Sequence, residues 1–219
     1  MKNSTRLCIC ILIVLATLCP ISCTRQAKMI IFSTALRASL QAFQSQKQVA
    51  ANAYSSASET REEALSEDRP FTDPKIKAFV EKWRLVEKDV QKLRSTFNEV
   101  VGSADYLFAY CEKKRDAIHD SDLRERVETE IEVKKTGFTE ASIRANGAIV
   151  VLEDAVQHGN DIILALEIIN ALGEIEDKIS KFDELKNLAD QKLPDLDGLV
   201  NEGFKILDSK LVTKSENNS

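Results

Sequence analysis

Apolar residues recur at alternating steps of three and four positions over residues 76–111, the most regular part of the chain. The positions are Ile76, Phe79, Trp83, Val86, Val90, Leu93, Phe97, Val100, Ala104, Leu107 and Cys111. Such steps return to the same side of a helix at every turn, so all of these residues share one narrow face. The charged residues between them include Lys77, Glu81, Lys82, Glu87, Lys88, Asp89, Lys92 and Arg94. We expect these to form a solvated outer face of one long helix over 75–118.

A second apolar seam follows a short polar turn at 119–122. Its members are Val127, Ile131, Phe138, Ala141, Ala145, Ala148, Leu152, Ala155, Ile162, Leu166 and Ile169, with Lys134 and Gly159 at the two remaining heptad positions. From about residue 149 the apolar residues broaden beyond one face, which predicts that this half is covered on more than one side. Two helices of similar length, 75–118 and 123–170, joined by a short turn predict an antiparallel hairpin.

Residues 26–65 form a third predicted helix with a less regular stripe. The stripe comprises Met29, Phe32, Leu36, Leu40, Phe43, Ala50, Tyr54, Ala57 and Ala64, and it is rich in small residues. We therefore expect looser packing here. Ser66 to Asp73 is the predicted connector, and Asp73-Pro74 carries the cap and first-turn residues that begin the next helix.

Beyond Gly173 the apolar register changes, so the helix kinks or restarts. Leu193-Pro194-Asp195 then ends it, and a short last helix precedes a polar tail. The predicted fold class is all-α, an elongated antiparallel helical bundle or coiled-coil hairpin of three to four long helices. We assign the bundle to residues 23–212 and a disordered polar tail to 213–219.

The first 22 residues have the three-part form of a secretory signal. Lys2 and Arg6 are followed by an apolar run from Leu7 to Leu18 that only Thr17 interrupts. This run is shorter than the roughly 20 apolar residues that a bilayer crossing needs, so an uncleaved anchor is the second choice.

Ile21-Ser22-Cys23 resembles the end of a bacterial lipoprotein signal, although Pro20 stands where that family usually has Leu. The resemblance implies a signal peptide over 1–22, cleavage before Cys23 and a lipid on the Cys23 thiol. Thr24 resembles the class sent to the outer membrane. The expected location is the bacterial cell envelope, with the protein membrane-anchored and facing the periplasm. The alternatives are an ordinary secretory leader with incidental cysteines, and a secreted or surface-exposed protein.

Composition narrows the function classes. Apolar residues make up 43% of the chain and charged residues 30%, which argues against disorder, while 6% aromatic residues argue against a β-sandwich. The chain has 30 basic residues, so without Lys2 and Arg6 there are 28 against 35 acidic residues, a net charge near −7. This balance gives no attraction to nucleic acid or to bare anionic lipid.

Reactive residues are sparse and lack interpretable spacing. His119 and His158 are the only histidines, and neither belongs to a zinc motif, a di-iron Glu-x-x-His pair or a phosphate loop. Cys111 lies on the apolar seam, so we interpret it as a buried structural thiol. The polar run 157–161 interrupts an apolar helix, as a packing irregularity, a bend or the lining of a cavity would. We predict no enzyme activity, no cofactor and no catalytic or metal residues.

The chain also resembles a family of uncharacterised helical envelope proteins of Gram-negative bacteria. The likeness spans roughly residues 25–200 and lies in Lys82-Trp83-Arg84-Leu85-Val86-Glu87-Lys88-Asp89-Val90, Leu93-Arg94-Ser95, Val100-Val101, Leu152-Glu153-Asp154-Ala155-Val156 and Ile169-Asn170-Ala171-Leu172. It implies the same helical fold and the same envelope location, and it brings no catalytic residues.

Three functions are compatible with these features. The first is a non-enzymatic envelope lipoprotein, held to the membrane through the lipid on Cys23, whose bundle is a spacer or a docking module for another protein. The second is a surface-exposed helical protein that binds host or environmental ligands. The third is a bundle that holds a small apolar ligand near residues 157–161. Seams of this kind close within one chain or between chains, so a homo-oligomer stays open.

Overall fold

The computed structural model describes residues 25–65, 72–170 and 179–208. Its helices are α1 (Arg25–Leu65), α2 (Pro74–Arg115), α3 (Ser121–Asn170), α4 (Ile179–Lys192) and α5 (Asp197–Asp208), with a 3₁₀ turn at Leu193–Leu196 between the last two. These ranges contain no strand, so the predicted all-α fold is confirmed.

Several predictions concern parts of the chain outside the described residues. They are the signal peptide at 1–22, the lipid on Cys23, the connector at 66–71, the register change near Gly173 and the tail at 213–219.

Both long helices that follow a turn begin at an aspartate cap. The Asp73 carboxylate accepts a hydrogen bond from the Lys75 backbone N–H at 2.8 Å, and Pro74 occupies the first helical position. At the start of α3, the Asp120 carboxylate accepts from the Leu123 N–H at 2.8 Å. The predicted helix starts at 75 and 123 are therefore confirmed to within two residues. In both cases the aspartate cap determines where the helix begins.

Contacts at both ends of the hairpin show that α2 and α3 run antiparallel, as predicted. Near its closed end the rings of Phe108 and Phe138 lie 6.1 Å apart. Far from the turn, the Trp83 indole N–H donates to the Asn160 side-chain oxygen at 3.0 Å. In both pairs the two residue numbers add up to nearly the same value, as they must in an antiparallel pair of helices. The two helices therefore stay in register over most of their length.

The helix α1 also lies antiparallel to α2. Phe32 packs on Tyr110 with ring centroids 5.4 Å apart, and Phe43 packs on Phe97 at 6.3 Å. The contact between α1 and α2 is the most extensive of any helix pair within the described ranges. The prediction of loose packing for 26–65 is therefore wrong.

Small side chains explain this close contact. Ala50, Ala57 and Ala64 recur at heptad spacing on the buried face of α1 and continue the register of Phe43. Alanine lets two helix backbones approach closely, so a stripe that is poor in large residues still packs tightly against the larger residues of α2. The apolar stripe alone does not reveal this, because alanine is equally common on loose and on tight faces.

The short helices α4 and α5 return along α1 and close the bundle. Arg61 forms an ion pair with Asp183, and further along Arg37 pairs with Asp208 at 2.9 Å. Both short helices also contact α3. The described chain is thus a four-layered up-down-up-down bundle in which α4 and α5, joined by the 3₁₀ turn, take the place of a fourth long helix.

The seam of α2 lies on the bundle axis. Ten of its eleven predicted positions are buried, and Cys111 near the α2–α3 turn is half-buried. One residue of the predicted outer face is an exception, because Asp89 is buried beside α1. Its carboxylate lies 3.5 Å from the Lys92 ammonium group, and the Gln46 side chain donates to its backbone oxygen at 3.1 Å. Asp89 directly precedes Val90 of the seam and therefore faces α1. Its polar partners lower the cost of burying it.

The helices that pack on α3, namely α2, α4 and α5, cover only part of its broad apolar half. Ile149 and Val156 are buried, which confirms coverage on more than one side. Val150, Leu164 and Ile168 nevertheless remain exposed. The described bundle therefore leaves an apolar outer face on α3.

Replacing Leu40 with alanine should destabilise the bundle strongly. Leu40 is 0% exposed, and we expect Leu40→Ala to lower the free energy of unfolding by about 2–5 kcal/mol through lost burial and a cavity. Leu85→Ala is the matched control, since Leu85 is 46% exposed and should cost less than about 1 kcal/mol. Urea unfolding followed by circular dichroism measures both, and equal losses would contradict this description of the core.

Candidate functional site

The polar run at 157–161 adjoins the most distinctive packing in the described core. Gly159 is buried directly against the indole of Trp83, and a Cβ atom there would lie 1.8 Å from the ring carbon Cζ2. The next residue, Asn160, accepts the indole hydrogen bond. Trp83 is 3% exposed, as expected for a core anchor. The break in the apolar pattern thus makes room for one large side chain and satisfies its only polar atom, which is the packing interpretation.

Three further aromatic rings complete this layer. Tyr54 of α1 contacts Trp83 edge-on with centroids 6.0 Å apart. Phe182 of α4 lies 5.2 Å from Trp83 and 4.9 Å from Phe79, again edge-to-face. Edge-to-face pairs are a favoured aromatic geometry and add stabilisation beyond the area they bury. All four helical layers therefore meet at this one level of the bundle, which we call the aromatic layer (Tyr54, Phe79, Trp83, Gly159, Asn160 and Phe182).

Tyr54 also connects α1 to the diagonally opposite helix. Its hydroxyl donates to the Leu152 backbone oxygen at 3.3 Å. Burial raises the pKa of Tyr54 above its ordinary value of 10.0, because the phenolate would lose its hydration in the core. A neutral donor of this kind holds two helices together and is not prepared to exchange protons near neutral pH.

A small cavity lies beside the aromatic layer between α1, α2 and α4. Its lining includes Ser58, Arg61 and Lys186 together with the rings, and its volume is about 10 Å³. That volume holds about one water molecule, whereas small-molecule sites usually measure about 300–1,000 Å³. This cavity offers no room for an apolar ligand.

The candidate reactive residues are dispersed. His119 and His158 are both exposed, on the α2–α3 turn and on the outer surface of α3. Burial raises the pKa of the half-buried Cys111 thiol, which lowers its reactivity. The described residues contain no group of three or more His, Cys, Asp and Glu side chains that would hold a metal ion. Cys23, the predicted lipidation site, lies outside the described residues.

The outer face of α3 carries an exposed seam that includes Val150 and Leu164, two residues of the half that the sequence predicts to be covered on more than one side. Its residues are Ile143, Gly147, Val150, Asp154, Gln157, Asp161, Leu164 and Ile168, and all of them are exposed. They follow one another at steps of four and three, so they share one face of the helix. We call this surface the α3 outer stripe. Its signal in the sequence is a second heptad pattern, offset from the buried one and hidden by the general richness in apolar residues.

Comparison with known proteins adds no family assignment. No protein-family model, curated protein or solved structure matches the chain. Within the described ranges, no helix is long and apolar enough to cross a membrane.

Adding a single methyl group at Gly159 should disrupt the aromatic layer. Gly159→Ala forces the Trp83 ring to move, and we expect a loss of about 1–3 kcal/mol in the free energy of unfolding. Gly147→Ala on the same helix is the control, since nothing lies within 4 Å of its Cβ position and it should stabilise by about 0.5–1 kcal/mol. Urea unfolding gives both values, and Trp83 fluorescence should shift only in the Gly159 variant. The same gain in both variants would contradict the described contact.

Tyr54 should make stability depend on pH above its ordinary pKa. The folded state binds the phenolic proton more tightly than the unfolded state, so this stabilisation is complete below pH 10 and is lost as the pH rises beyond it. We therefore expect the stability difference between the wild type and Tyr54→Phe to shrink by up to about 1.4 kcal/mol per pH unit above pH 10. Tyr106→Phe removes an exposed hydroxyl as the control. A difference that stays constant from pH 8 to 11 would contradict the buried phenol.

Proposed function

We propose that this protein is a non-enzymatic lipoprotein of the bacterial cell envelope whose helical bundle is a spacer or a docking module for another envelope protein. The observation that carries the proposal is the continuous side-chain core, which extends from Leu36 to Val200 and fills the bundle axis. Such a core provides length and rigidity. Among the described residues, the cavity at the aromatic layer, about 10 Å³, is far smaller than a substrate usually needs.

The dimensions of the bundle fit a spacer. At 1.5 Å per residue, the 50 residues of α3 extend about 75 Å and the 42 residues of α2 about 63 Å. Paired helices of this length, packed along a shared seam, resist bending much better than a single helix or an unstructured linker. A bundle held at one end would therefore carry its far end a defined distance from the membrane.

The start of α1 supports an anchor at that end. The helix begins at Arg25, two residues after Cys23, so a lipid on Cys23 would hold the first turns of α1 close to the headgroups. Ile30 and Ile31 are exposed there, and Lys28 precedes them. Exposed isoleucines beside a basic residue suit the interface of a bilayer better than bulk water.

The alternative of a small apolar ligand receives less support. This alternative requires a cavity near residues 157–161. The space beside Gly159 is instead occupied by the Trp83 ring. A surface-exposed binder would have the same bundle and the same anchor. Protease treatment of intact cells distinguishes it, because only an outward-facing bundle would be cut.

Acylation of Cys23 is the decisive test of the anchor. Mass spectrometry of the mature N-terminus should show an acylated Cys23, and the protein should partition into detergent. Cys23→Ser should abolish both, while Cys19→Ser, which changes a cysteine of the leader, should leave both intact. Two or three acyl chains make attachment effectively permanent, since each buried CH₂ contributes about 0.8 kcal/mol. An unmodified Cys23 with the leader still attached would refute the proposal.

A further inference from the structure

The α3 outer stripe has the length and spacing of a helix-docking surface. From Ile143 to Ile168 it covers 25 steps of 1.5 Å, about 38 Å. Its alternating steps of four and three are those of a coiled-coil seam, in which a second helix inserts side chains between the residues of the first. The buried seam of α3 already packs on α2, α4 and α5, so the described fold leaves this second seam without a partner helix.

The stripe is apolar at both ends and acidic in the middle. Ile143 and Val150 lie at one end, and Leu164 and Ile168 at the other; Ile143 is the most exposed, at 67%. Gly147, at the first end, leaves space for a large side chain of a partner, because nothing lies within 4 Å of its Cβ position.

The central positions are Asp154, Gln157 and Asp161. Gln157 donates to the Asp161 carboxylate at 3.1 Å, and both aspartates are exposed on this face. Neither aspartate belongs to an ion pair among the described residues. Exposed apolar residues grouped on one face are a feature of protein interaction sites, and the aspartates between the two groups add a charge requirement for the partner.

We propose that the α3 outer stripe binds an amphipathic helix of a partner protein, with apolar residues at both ends of its contact face and lysine or arginine in the middle. The inference rests on the docking role proposed above and names the chemistry of the partner. Because the stripe is apolar at both ends, a partner helix fits in either direction. The two aspartates then provide the charge complementarity that selects a basic partner over an acidic one.

A second copy of this chain is a poorer occupant. In a parallel pair Asp154 would face Asp154 and Asp161 would face Asp161. In an antiparallel pair all four carboxylates would meet near the centre of the contact. Like charges at the centre of an interface oppose association, so self-pairing through the α3 outer stripe is disfavoured.

Two synthetic helices of about 25 residues test the proposal directly. Both carry leucine and isoleucine at the outer seam positions, and they differ only in having two lysines or two glutamates at the centre. Binding is measured by fluorescence anisotropy with the chain lacking residues 1–22, since the contacts that hold the described bundle lie within 25–208. The lysine peptide should bind about tenfold more tightly than the glutamate peptide at low salt.

Variants of the stripe sharpen the result. The charge reversal Asp154→Lys with Asp161→Lys should invert the preference between the two peptides. Ile143→Asp with Leu164→Asp should weaken the lysine peptide about tenfold or more. Leu123→Asp is the matched control, because Leu123 is 50% exposed on the same helix and lies 20 residues, about 30 Å, before Ile143. Its affinity for the lysine peptide should be unchanged, and thermal unfolding verifies that every variant stays folded.

The opposite outcomes overturn the inference. No binding, or equal binding of both peptides, would remove the stripe as a basic-helix site. A stable dimer in light scattering that Ile143→Asp dissolves would assign the stripe to a second copy. The anchor is tested separately, because a chain acylated on Cys23 that ignores both peptides keeps the anchor and loses the stripe, whereas an unacylated chain that binds the lysine peptide shows the reverse.

Discussion

The burial of one apolar seam along α2 is the constraint on which the rest of the structure depends. Helices α1 and α3 pack directly on this seam, and Phe182 of α4 contacts it at Phe79 and Trp83. The alanine heptad of α1 provides the most extensive of these contacts. Hydrophobic burial is roughly proportional to the area removed from water, so a seam of eleven positions provides the main driving force for closing the bundle. The 3₁₀ turn between α4 and α5 is tolerated because Leu193 and Leu196 stay buried through it.

The aromatic layer fixes how the helices slide relative to one another. Coiled-coil seams tolerate shifts by one heptad, since each heptad presents similar apolar residues to its neighbour. Here the flat contact of Trp83 on Gly159 exists at one position only, and the Asn160 hydrogen bond exists at the same position. Tyr54 adds a bond to the Leu152 carbonyl from the opposite side. A shifted register would leave buried polar atoms without partners, which is more costly than a loss of apolar contact.

The parts of the fold that could be predicted from the sequence are those governed by local spacing. The seam of α2 and the capping role of Asp73 follow from residue types within a few positions of each other. The tight packing of α1 could not be predicted, because alanine and serine stripes acquire their meaning only from the large residues they meet on another helix. The pairing of Trp83 with Gly159 spans 76 positions, so the polar break at 157–161 was visible while its cause was not. Asp89 was misplaced for a related reason, since its partners Gln46 and Lys92 lie partly on another helix.

The second seam of α3 shows where folding and function separate. A helix that packs on two neighbours needs one broad apolar face, and the buried residues of α3 already supply it. Four large aliphatic side chains on the opposite side add nothing to that core and expose apolar surface to water. Single exposed aliphatic side chains are common on protein surfaces. These four, however, share one helix face over about 38 Å because of their heptad spacing. The regularity that stabilises the bundle from inside is thus repeated outside it, and this repetition is the basis of the helix docking proposed for the α3 outer stripe.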